Sequence, residues 1–77
     1  MGAQTERLAQ IAGDLARHLA PGRQITFDGP QASIRIWPDD LTGETRFQIL
    51  GYWPEHEIAD RTDHQLRELL ASWPKLS

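Results

Sequence analysis

Leu8, Ile11, Ala12, Leu15 and Leu19 recur at helical spacing. The period then changes to two, with Ile25 and Phe27, then Ala32, Ile34 and Ile36, then Phe47 and Ile49 alternating with polar residues. The first set predicts an amphipathic helix with Thr5 as its cap and Glu6 in its first turn, stopped by Ala20-Pro21-Gly22. The alternating sets predict three short strands, each with one buried face. Asp28-Gly29-Pro30 turns the chain between the first two strands, and Pro38 to Glu44, with Gly43, turns it again. Beyond them Leu66, Leu69, Leu70 and Trp73 return to helical spacing behind Thr62 and Gln65, which are spaced as a capping box.

Each tryptophan precedes a proline: Trp37-Pro38, Trp53-Pro54 and Trp73-Pro74. Proline disfavours helix in the residue before it and donates no backbone hydrogen bond, so each pair is expected to end an element. The fold class expected is α+β, one domain over residues 1–77 in the order α-β-β-β-α. Its three-stranded antiparallel meander is covered on one face by two helices. Directly opposed residues share a face, so Ile36 against Phe47 and Ile34 against Ile49 keeps the apolar sets together. That register opposes Arg35 to Gln48, Trp37 to Arg46 and Ser33 to Leu50 on the far face, with Tyr52 beside them and Arg46 packing on the Trp37 ring. The expected core is Leu8, Ile11, Leu15, Leu19, Ile25, Phe27, Ile34, Ile36, Phe47, Ile49, Leu66, Leu69 and Leu70.

Composition narrows the function classes. Seventy-seven residues are near the lower size at which a chain folds without a metal, disulfide or partner, so a homodimer or a tight partner would help. The zero cysteines exclude disulfides, thiolate metal sites and catalytic thiols, and cytosol is the expected compartment. No apolar run approaches the roughly 18 residues of a membrane span, and the first residues have no signal layout. Met1-Gly2 begins like a myristoylation motif, but Glu6 stands where that motif needs Ser or Thr. The net charge of −3 is unevenly spread. Four arginines outnumber Glu6, Asp14 and Asp28 up to Trp37, whereas eight acids against three arginines lie between Pro38 and Glu68. Such a balance repels nucleic acid and suits a basic protein surface.

Groups with chemical potential are present without the spacing that a reaction needs. Glu55-His56-Glu57 with Asp60, Asp63 and His64 supplies ligand types, but neither His-Glu-x-x-His nor a twelve-residue calcium loop occurs, so no metal or cofactor is expected. Asp39, Asp40 and Glu44 are turn carboxylates, a position that recruits acids for backbone reasons. Serines at 33, 72 and 77 have no identifiable histidine partner, and the glycines form no phosphate loop. No catalytic residues are assigned.

The order helix, three antiparallel strands, helix, with Gly29-Pro30 in the first strand turn, resembles the double-stranded RNA-binding domain. In that family the second helix opens on a phosphate-holding lysine cluster. Here the stretch is Thr62-Asp63-His64-Gln65, so those roles do not carry over. Trp37-Pro38 after Gln31-Ala32-Ser33-Ile34 is similar to a fragment of the MbtH-like activators, whose later Gly-Trp and Trp-Thr-Asp signatures are missing. Neither family is assigned.

The expected function is therefore a small acidic protein-binding module, a regulator or inhibitor of a larger protein complex that handles nucleic acid, in the form taken by phage-type inhibitors. Its partner-binding residues are Arg35, Trp37, Arg46, Gln48 and Tyr52 on the open sheet face, or Asp39, Asp40 and Glu44 in the acidic turn. An alternative is a nucleic-acid binder with a degenerate basic surface, using Arg7, Arg17, Arg23, Arg35 and Arg46 with Trp37 or Tyr52 as a stacking platform. A third is a small metal-dependent enzyme using the carboxylates with His56 or His64.

Overall fold

The computed structural model describes residues 2–76, with side chains described through Trp73. Helix α1 (Ala3–Leu19) leads to strands β1 (Ile25–Asp28), β2 (Ala32–Pro38) and β3 (Thr45–Gly51), then to helices α2 (Glu55–Ala59) and α3 (Asp63–Ala71) and strand β4 (Pro74–Leu76). The α+β class and the helix-meander-helix order are as the periodicity predicts. α2 and β4 are additions. A five-residue helix with one buried anchor, Ile58, is too short to show a period, and Pro54 at its N-cap supplies the start. β4 opens at a proline, which an edge strand accepts because one flank needs no donor.

All pairings are antiparallel, and the sheet order is β3-β2-β1-β4. β2 and β3 pair in the predicted register: Ile36 opposes Phe47, Ile34 opposes Ile49, Arg35 opposes Gln48, Trp37 opposes Arg46 and Ser33 opposes Leu50. The helices pack on the Ile and Phe face, where α1 meets β2 and β3 and also meets α2 and α3. One core cluster results, built on Leu8, Leu15, Ile25, Phe27, Ile34, Ile36, Ile58, Leu66 and Leu70.

Several expectations change at element ends. α1 starts at Ala3 with Gly2, in extended conformation, at the N-cap, so Thr5 lies inside the first turn and caps nothing. Leu19 is 44% exposed, because the helix ends there and turns away from the core. Ala12, Gly13 and Ala16 are buried on α1 instead, small residues that let the helix lie close to its neighbours. Phe47, Ile49 and Ile11 pack against the core only half-buried, and Leu69 is half-buried too. For Phe47 and Ile49 the reason is position, since β3 is an edge strand with sheet on one side only.

α3 starts as predicted. The Gln65 amide donates to Thr62 Oγ1 at 3.1 Å, and the Thr62 amide donates to Gln65 Oε1 at 2.9 Å. Its end is fastened to the first strand turn, where the Asp28 amide donates to the Trp73 carbonyl at 3.0 Å. Trp73 also covers Gly29 so closely that a Cβ there would stand 2.6 Å from the indole. Trp53 meets Trp73 with ring centroids 5.7 Å apart and planes inclined at 48°. Two of the three Trp-Pro pairs thus converge on one side of the sheet, while Trp37 alternates with the buried Ile36 and belongs to the other.

Candidate functional site

The uncovered face of the sheet is built by the residues that alternate with the core positions. β2 contributes Ser33, Arg35 and Trp37, and β3 contributes Arg46, Gln48 and Leu50. Arg35, Arg46 and Gln48 are exposed, Trp37 is half-buried and Leu50 is 46% exposed. The Arg35 guanidinium lies 5.8 Å from the Trp37 ring centroid, close enough for a cation–π contact. Arg35, two residues away on the same strand, therefore occupies the place expected for Arg46. The Gln24 amide, with its oxygen turned to the guanidinium, accepts from Arg35 Nε at 3.0 Å and Nη2 at 3.3 Å, which holds the cation over the ring.

Arg46 is directed to the adjoining turn. Its Nε donates to Asp39 Oδ2 at 2.9 Å, and Nη2 lies 2.8 Å from the same oxygen in an ion pair. The other oxygen, Oδ1, accepts from the amides of Leu41 at 2.8 Å and Thr42 at 3.3 Å. Asp39 thus folds the turn instead of offering a free carboxylate. Asp40 and Glu44 remain exposed at the turn, with Leu41 between them 95% exposed. The Arg46–Asp39 pair joins the sheet face and the acidic turn into one continuous surface. Tyr52 stands just past β3 and is 75% exposed.

The Leu41 amide, then the Arg46 guanidinium and the Thr42 amide, hold the Asp39 carboxyl below its ordinary value. Arg67, by hydrogen bond and by charge, does the same for Asp14. A depressed folded pKa contributes stability that is present above the unfolded value and is lost as the pH falls through the folded one. The hairpin turn should therefore weaken on acidification below 3.8. Asp39→Asn keeps an acceptor for the Leu41 amide but cannot titrate. Its thermal midpoint is expected to fall less than the parent's between about pH 6 and about pH 3, and equal losses would remove Asp39 from the acid transition.

The arginines offered for phosphate binding are differently placed. Arg7 is a clamp: it donates to Gln4 Oε1 at 2.8 Å and the Ile58 carbonyl at 3.2 Å, and also reaches Asp63 and the Arg61 carbonyl, tying α1 to the α2–α3 junction. Arg17 lies 3.6 Å from Asp14, to which Arg67 also donates at 2.6 Å, and Arg23 is exposed. Arg17 and Arg23 line one small concavity with Trp37 and Thr45, whereas Arg7 is bound at the α2–α3 junction and Arg46 is held by Asp39. His64 pairs with Glu68 at 3.0 Å along α3. Among the described residues no three His, Asp or Glu side chains gather as a metal site, and no helix is long and apolar enough to cross a membrane.

Sequence reasoning missed Gln24 and Leu41 as members of this surface. Leu50 follows from the register, whereas the roles of Gln24 and Leu41 depend on loop geometry that no period encodes. A second concavity, about 150 Å³, lies beside the Trp53–Trp73 pair with Pro30, Glu57, Arg61 and Leu69. The Arg61 guanidinium donates to the Glu57 carbonyl at 2.7 Å at its margin. No protein-family model, curated protein or solved structure matches this chain.

Proposed function

We propose that the chain is a small acidic protein-binding module that regulates or inhibits a larger partner and carries out no chemistry of its own. The observation that supports this reading is the Arg35–Trp37 pair on a sheet face left open by the helices, continuous with the acidic turn. A half-buried tryptophan braced by an arginine is the kind of anchor that dominates interfaces, while an exposed rim of Asp40 and Glu44 suits a basic partner and speeds its approach. A net charge of −3 and the form of phage-type inhibitors agree with a target that itself handles nucleic acid. The compartment inferred is the cytosol, on the zero cysteines.

Arg35→Ala with Trp37→Ala should weaken capture of the partner by about tenfold or more, a loss of the size seen at interface anchors, with the circular dichroism of the parent retained. Asp40→Lys with Glu44→Lys should mainly slow association, and more so at low salt. Capture and association rates indistinguishable from the parent for both folded variants would place the contact elsewhere.

A further inference from the structure

The outer edge of β3 has no neighbouring strand among the described residues. The Asp39 amide donates to the Glu44 carbonyl at 2.7 Å and the Asp39 carbonyl accepts from the Gly43 amide at 2.8 Å, which puts Asp39 and Glu44 at a hydrogen-bonding position at the hairpin end. In an antiparallel ladder bonded pairs recur at every second residue. Trp37 with Arg46, Arg35 with Gln48 and Ser33 with Leu50 are then bonded pairs. Pro38 with Thr45 is an unbonded one, as a residue without an N–H requires. The N–H and C=O groups of Thr45, Phe47 and Ile49 accordingly point away from β2, toward the open edge.

Edges of sheets are ordinarily protected by prolines, lysines, bulges or shortness. β4, the opposite edge, is three residues long and contains Pro74 and Lys75. β3 has none of these devices: its seven residues pair with β2 without a bulge, and its only charge, Arg46, is held by Asp39. Beside it, a groove of about 510 Å³ opens between α1 and β3, lined by Gln10, Gly13, Asp14, Arg17, Thr45 and Phe47. Phe47, which lines it, and Ile49, further along the strand, are only half-buried against the core.

We propose that β3 pairs antiparallel with β3 of a second copy of this chain, about a two-fold axis through Gln48, to form a continuous eight-stranded sheet. Gln48 is the midpoint of Thr45–Gly51, so this register alone overlaps the full strand. It makes Phe47 and the partner's Ile49 a bonded pair, and by symmetry Ile49 and the partner's Phe47. The apolar side chains left half-buried at each edge thereby cover one another at the mouth of the two grooves. On the open face it opposes Arg46 to the partner's Leu50 and Gln48 to the partner's Gln48, so no like charges meet. Centring on Arg46 would oppose two guanidinium groups. The second copy satisfies both backbone and apolar edge, each twice, through one self-complementary register.

Sedimentation equilibrium from micromolar to millimolar chain should show a monomer–dimer equilibrium. The Phe47 and Ile49 amides should become protected from hydrogen exchange as the dimer forms. Gln48 is exposed on the open face, so charge there leaves the monomer core untouched. Gln48→Lys and Gln48→Glu, each placing like charges in direct opposition, should each weaken the dimer about tenfold or more. An equimolar mixture of the two should recover at least the parent's affinity. A parent that remains monomeric throughout, with both amides exchanging freely, overturns the proposal and leaves the edge to a strand of another protein. A dimer that neither charge weakens overturns this edge, and a mixture that fails to recover overturns the two-fold register.

Discussion

Phe27→Ala is expected to remove a large fraction of the domain's stability, so that it unfolds at urea concentrations at which the parent is native. Phe27 is fully buried on β1, with β2 on one flank and β4 on the other, and belongs to the cluster that includes Leu8, Leu66 and Leu70. Truncating a core phenylalanine costs about 3 to 5 kcal/mol, part from lost transfer of apolar surface and part from the cavity left behind. A domain of this size has a total stability on the order of 4 to 12 kcal/mol, so one side chain here is a large fraction of it. Urea unfolding followed by circular dichroism should show the midpoint shifted far downward with the slope retained. Leu41→Ala, at the exposed turn tip, should stay within about 0.5 kcal/mol of the parent. A parent-like midpoint for Phe27→Ala would mean that the two layers are not held together at β1.

Gly51→Ala should be the most damaging single-methyl substitution at the sheet margin. Gly51 has φ of 91°, in the region that L side chains avoid, and a Cβ there would stand 2.6 Å from the Gln31 carbonyl oxygen and 3.2 Å from Ala32 Cα. Both obstacles are backbone, so no rotamer change relieves them. The conformational penalty is about 1 to 2 kcal/mol, and overpacking adds about 1 to 3 kcal/mol. The expected outcome is a lowered urea midpoint together with loss of the Ala32–Gly51 pairing, visible as faster exchange of amides at the β2 start. Unchanged stability would show that the β3 exit relaxes to another conformation at no cost.

The amphipathic stripes and the β2–β3 register could be read from residue order because both rest on long-range consistency of one periodic signal. Ile34 and Ile36 cannot find Ile49 and Phe47 in any other even register without opposing arginines or exposing apolar groups. α2 and β4 had no such signal, since one buried residue, Ile58, and a three-residue strand carry no period. The surface was read more coarsely. Register alone placed Arg35, Trp37, Arg46 and Gln48 on one face. Which guanidinium lies on Trp37 was decided by the turn: Asp39, fixed by the Leu41 and Thr42 amides, draws Arg46 away and leaves the ring to Arg35. Of the three Trp-Pro pairs, each expected to end an element, only Trp37-Pro38 does so: Pro54 caps the start of α2 and Pro74 opens β4, and the meeting of Trp53 with Trp73 follows from where two loops return in space.

The sheet order β3-β2-β1-β4 also sets a sequence of events for folding. The β1–β2 and β2–β3 hairpins close over short loops, at small entropic cost and early. The seam between β1 and β4 joins residues 25–27 to residues 74–76 across a far longer loop, so its closure is expected to await the arrival of β4 behind α3 and Trp73. Until that arrival β1 is itself an unpaired edge. A chain halted before β4 would therefore display two open strand edges at once, β1 and β3, and is the species with the greatest tendency to aggregate during synthesis.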